Sequence, residues 1–147
     1  MGIEPGRLLA LADEMASRAT EEDAGRAALA VLAAHAALEA MVNHLGAEAI
    51  GSFNYRARFL PKWHDLCERT IGRQLEAAPD LELLQALRDA VVGYGGDPER
   101  LDRRSTSPPP EAPPGIGAEE ARWAVESARR VIAEFHKAAG RDAPGWL

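Results

Sequence analysis

Two His–Glu pairs in this sequence have the spacing of a metal site. His35 and Glu39 are four residues apart, as are His64 and Glu68. On a helix each pair shares one face. Two such pairs facing each other in a bundle core could hold Zn or Fe. The same spacing also gives ordinary helix support when it is exposed. Glu39 and Asn43 sit one further turn apart. They read either as binding residues or as a polar network that fixes helix register. A third group is basic. Arg and aromatic residues interleave in Phe53-Asn54-Tyr55-Arg56-Ala57-Arg58-Phe59, with Lys62 close behind and Arg100, Arg103 and Arg104 later in the chain. Arg56, Arg58 and Lys62 could contact phosphates while the rings stack on bases. The plainer reading is an irregular segment anchored by its aromatics, with solvated Arg. Phosphate-binding glycine loops, paired cysteines and a serine-nucleophile elbow do not occur, so no cofactor is expected.

Helices must position these groups, because no segment alternates with period two. Residues 5–18 place Leu8, Leu11, Ala12 and Met15 at helical spacing. Thr20 followed by Glu21, Glu22 and Asp23 reads as a fresh helix start, with acids at the positive end of the dipole. The second helix is expected from Glu21 to Leu45, its stripe running through Val31, His35, Leu38, Val42 and Leu45, with Gly46 as its stop. Residues 46–60 read as irregular, with Phe53, Tyr55, Phe59 and Leu60 tucked onto the bundle. Pro61 suits the first turn of a third helix from Lys62 to Ala77, burying Trp63, Leu66, Cys67, Thr70 and Ile71. Pro79 interrupts the chain and Asp80 caps a fourth helix, Leu81 to Val92. This helix ends in Arg88-Asp89 and exits through Gly93, Tyr94, Gly95 and Gly96. Residues 93–117, rich in Gly and Pro, cannot continue a helix. A last helix spans Ala118 to Ala139, stopped by Gly140. The pattern predicts an all-α fold: an antiparallel bundle of four to five helices in a single domain over residues 1–147.

Composition narrows the setting. Hydrophobic residues make up 46% of the chain and aromatics 5%. Alanine supplies much of that core, so each side chain buries little area, which favours an oligomer. The net charge of -6 is concentrated in residues 1–50, with eight acidic against three basic residues. A chain this acidic is a poor general polyanion binder. One cysteine, Cys67, forms no intrachain disulfide and fits a reducing compartment. Neither a leader-like start nor an uninterrupted apolar run of ~18 residues is visible, so a cytoplasmic protein and no membrane partner are expected.

The order of these signals resembles the HEPN superfamily of small helical bundles over most of the chain. Ala36 to Gly46 looks like the family's long helix, with Glu39 and Asn43 one turn apart. Pro61-Lys62-Trp63-His64-Asp65-Leu66 resembles the lysine–tryptophan start of its next helix. Leu84 to Gly93 is similar to the leucine-rich helix that ends in Arg, a polar residue and then His. The resemblance implies a homodimer. It also implies a toxin–antitoxin or phage-defence setting, and either a nucleotidyltransferase or other protein partner or RNA. In active members, a metal-independent endoribonuclease site pairs the Arg with a His that moves the proton of the ribose 2′-hydroxyl or of the leaving oxygen. Here Gly93, Tyr94 and Gly95 occupy the places of that His. A tyrosine titrates near ~10, too high for a ready base at neutral pH. Arg88, Asp89 and Tyr94 therefore stand as catalytic candidates without their proton carrier, and a non-catalytic binding or regulatory module is the expectation. A displaced base (Tyr94, His44, His64 or His136) is the enzymatic alternative, and a metal-binding bundle the third.

Overall fold

Helix-forming residues and local stops divide the described residues into five helices. The computed structural model describes residues 3–20, 23–93 and 116–147. They form α1 (Pro5–Arg18), α2 (Ala24–Ala49), α3 (Phe59–Ile71), α4 (Ala78–Val91) and α5 (Ala118–Ala138), with no strand among the described residues. The fold is the all-α bundle expected.

α1 and α2 pack as a hairpin through small side chains. Ala12 and Ala16 on α1 and Ala27, Ala30 and Ala34 on α2 are buried. Such residues let two helix axes approach closely. Among the described residues, α2 touches each of the other helices, which accounts for its apolar composition. With a mean hydropathy of 1.4 over its most apolar window, it is long and apolar enough by composition to cross a membrane, and 56% of that window is buried inside the bundle. Its Leu38 and Leu45 share the core with Trp63, Leu66, Leu84, Ile132 and Phe135. Trp63 meets Phe135 edge-on, with ring centroids 6.1 Å apart. Edge-to-face pairs add to the area these rings bury.

Several helix ends differ from expectation, each for a physical reason. Asp23, rather than Thr20, caps α2 by accepting from the Arg26 amide at 3.1 Å. α2 also runs past Gly46 to Ala49. A Cβ at Gly46 would lie 2.6 Å from the Phe53 ring. This glycine is the seat of an aromatic, not a stop. α3 begins at Phe59 and ends at Gly72, whose φ of 70° closes the helix with a bond from its amide to the Cys67 carbonyl. That left-handed turn needs no Cβ and halts α3 well before Ala77. Asp80 lies inside the first turn of α4 and does not cap it. The cap comes instead from α5, where the Glu134 carboxylate accepts from the Glu76 and Ala77 amides at 2.7 and 3.1 Å. Asp80 takes Arg130 of α5 at 3.1 Å. These contacts, at the N-terminal end of α4 and towards the C-terminal end of α5, set the two helices antiparallel.

Candidate functional site

The polar residues singled out above meet along a seam where α2, α3 and α4 come together. The α2 stripe supplies His35, Glu39 and Asn43 at successive turns. α3 brings Lys62 to them. Its side chain is 1% exposed, and its ammonium donates to Glu39 Oε1 and to Asn43 Oδ1, the latter at 2.9 Å. A buried ammonium must be both paired and hydrogen-bonded, and these two acceptors meet that need. Lys62 is thus not part of a solvent-facing basic patch with Arg56 and Arg58, which remain exposed. The reason lies in helix phase. Lys62 sits beside Trp63 on the inward face of α3, and its stem runs into the core.

α4 completes the seam. Gln85 Nε2 donates to Asp89 Oδ1 at 2.8 Å, and Arg88 Nη1 donates to the same oxygen at 3.3 Å. Because the carboxylate can only accept, the Gln85 amide nitrogen must face it. Its carbonyl oxygen then faces His35 Nε2 at 2.8 Å. His35 therefore donates through Nε2–H, which leaves its lone pair on Nδ1. Burial lowers the His35 pKa below the ordinary imidazole value, with nearby Arg88 acting in the same direction. The Gln85 bond and the Glu39 and Asp89 carboxylates act against it. The ring also packs on Phe59, centroids 4.2 Å apart.

The seam gathers two cations, two carboxylates and a neutral imidazole. Lys62 offsets Glu39, and Arg88 offsets Asp89. Its side chains reach solvent at Glu39, Arg88 and Asp89, which are 36, 39 and 38% exposed. Arg88 pairs with its neighbour Asp89 and not with Glu39 across the bundle. Chemically, the arrangement can orient a proton on His35 and present a guanidinium, but little net charge is left to attract an anion.

The remaining candidates lie apart. The two His–Glu pairs do not form a metal centre. His35 Nε2 is taken by Gln85. Glu68 is exposed and accepts from Gln74 Nε2 at 3.3 Å. Among the described residues no three His, Cys, Asp or Glu side chains converge as metal ligands. The interleaved aromatics are also divided. Phe53 and Phe59 are buried, and Tyr55 alone is 56% exposed, so they make no stacking platform. Of the displaced bases, His44 is exposed and pairs with Glu48 at 3.3 Å. His136 is buried, its Nδ1–H donating to the Ile132 carbonyl at 2.7 Å. His64 is half-buried on α3. Tyr94, Arg100, Arg103 and Arg104, and the Gly/Pro-rich 94–115 stretch, lie outside the described residues.

Neither the family models nor the curated proteins nor the solved structures contain a match to this chain. Its site therefore has to be read from its own geometry. One seam residue, Gln85, escapes sequence reasoning. It gives no signal, since glutamine is common on helices. His35 is visible as half of a His–Glu pair and as part of the α2 stripe, but not as the partner of Gln85. Its place one helical turn from Glu39 marks the face that Lys62 enters.

Proposed function

We propose that this chain is a non-catalytic, HEPN-like helical module that binds or regulates a partner, working as a cytoplasmic homodimer in a toxin–antitoxin or phage-defence setting. The observation that carries the reading is that the seam's cations are already satisfied. Arg88, at the position that resembles the family's phosphate-stabilising Arg, is paired with Asp89. Lys62 is buried against Glu39 and Asn43. The Asp89 carboxylate offsets the Arg88 charge and repels a substrate phosphate, and the buried Lys62 pair must break before its ammonium can serve one. The seam then acts as a register lock for α2, α3 and α4, and partner binding falls to the outer surfaces. A nucleotidyltransferase or other protein is the partner class, with RNA second.

A metal-independent endoribonuclease is the competing reading, and one observation favours it. An imidazole, His35, lies in the same seam as Arg88, with Nδ1 as its basic nitrogen. Incubating the purified protein with mixed RNA, beside Arg88→Ala and His35→Gln, separates the two. The module reading expects intact RNA with all three proteins. Cleavage by the wild type that is lost in both variants overturns it.

A further inference from the structure

α4 presents a second face, opposite in character to the seam. Leu83 and Leu87, one turn apart, line a groove of about 420 Å³ that Trp123, Glu119 and Glu120 of α5 close on the other side. Leu83 is 51% exposed. Leu87 and Trp123 are half-buried. Trp123 is the kind of side chain that dominates binding energy when a partner covers it, and the two leucines add apolar area beside it.

The rim is acidic. Glu119, Trp123 and Glu126 recur at i, i+4 and i+7, so α5 lays a carboxylate on either side of the indole. Glu119 and Glu126 are exposed. Glu120, by contrast, is half-engaged in the fold, accepting from the Gly117 amide at 3.0 Å. On α4, exposed Glu82 adjoins Leu83; the exposed cations near these acids on α5 are Arg122 and Arg130, of which Arg130 is paired with Asp80. A partner that covers the floor brings its own flanking groups against this rim. Cations there would be attracted and carboxylates repelled.

We infer that the α4–α5 groove is the docking site of a basic amphipathic protein segment, one with leucine-like anchors a helical turn apart and Lys or Arg beside them. Helix-in-groove recognition uses this spacing. The inference rests on the binding-module reading and names the partner's chemistry.

Two short helical peptides of Leu, Ala and Lys, and of Leu, Ala and Glu, with leucines at i, i+3, i+4 and i+7, test it. Each is titrated into the full chain by calorimetry and by the tryptophan indole N–H resonances. The Lys peptide is expected to bind with a micromolar Kd and to shift the Trp123 resonance, leaving buried Trp63 unmoved. The Glu peptide should bind at least about tenfold more weakly. Leu83→Asp, at a residue 51% exposed, should abolish binding. Glu119→Gln with Glu126→Gln should weaken it about fivefold and reduce its salt dependence. Equal affinity for both peptides, no binding by either, or full binding by Leu83→Asp overturns the inference. So does light scattering that shows a dimer converted to a monomer by Leu83→Asp, because a second copy would then be the occupant. RNA cleavage that depends on Arg88 would sink the module reading separately and leave these titrations as they stand.

Discussion

The two faces of α4 solve opposite problems. Towards α2 and α3 it carries Gln85, Arg88 and Asp89 into a seam where charges and hydrogen-bonding groups find partners within the chain. Towards α5 and solvent it carries Leu83 and Leu87, whose apolar surface stays partly uncovered. Polar groups look functional in a sequence because their chemistry is varied. Here they are spent on holding helices in register. The surface with binding capacity left over is the apolar one, which carries no motif.

That contrast can be broken most severely at Lys62. Lys62→Ala leaves the Glu39 carboxylate facing a vacated, partly buried space and should cost about 3 kcal/mol in urea unfolding. Lys62→Met with Glu39→Gln removes both charges and should recover most of that loss. A Lys62→Ala variant as stable as the wild type would show that the seam does not hold the fold.

His35 is next in size. His35→Gln should cost about 1–2 kcal/mol at pH 7 through lost packing and a rearranged hydrogen bond. Its pH dependence is more telling. The folded protein holds the imidazole below its ordinary ~6.5, so within that window the unfolded chain binds the proton more readily. Stability from this group is complete above ~6.5 and is lost as pH falls through the lowered folded value. Unfolding midpoints from pH 7 to pH 5 should therefore fall more steeply in the wild type than in His35→Gln, and parallel curves would remove the argument.

Arg88→Ala should cost less, about 0.5 kcal/mol, since its pair with Asp89 is over a third exposed. Leu83→Asp should be the mildest, within about 0.5 kcal/mol of the wild type. A loss of several kcal/mol there would mean that Leu83 is core rather than surface.

Cys67 offers a check on the core itself. Burial, with Glu134 nearby, pushes its thiol pKa up to about 11. The native protein should resist alkylation at pH 8 and react fully once unfolded. Fast native labelling would mean that the α3 contact opens readily.

How far the sequence could be read depended on the range of the forces involved. α1 was legible to both ends, because Pro5 and the leucine spacing act within one turn. The body of α2 was legible from its stripe. Its end was not, because the role of Gly46 is decided by the ring of Phe53 beyond the helix. Gly72 carries a local stop signal that the expected helix from Lys62 to Ala77 runs through. The start of α4 was beyond local reading, since its cap is Glu134. In the seam, the spacing of Glu39 and Asn43 suggested a register-fixing network. Its third member, Lys62, reads in the sequence as a phosphate-contacting cation, because only the phase of α3 against α2 turns it inward. The link from His35 to Gln85 spans two helices, and no periodicity reports it.

The cap on α4 also bears on how the protein is made. The amides at its start are satisfied by a residue more than fifty positions later in the chain. During synthesis α1 and α2 can pair as soon as both have emerged. α4 emerges with its own first-turn amides bonded to the Leu75 and Ala77 carbonyls, while the Glu76 and Ala77 amides that lead into it wait for α5. Translation therefore delivers this bundle as an early hairpin and a late clasp. A pause or truncation upstream of residue 134 leaves α4 without its cap.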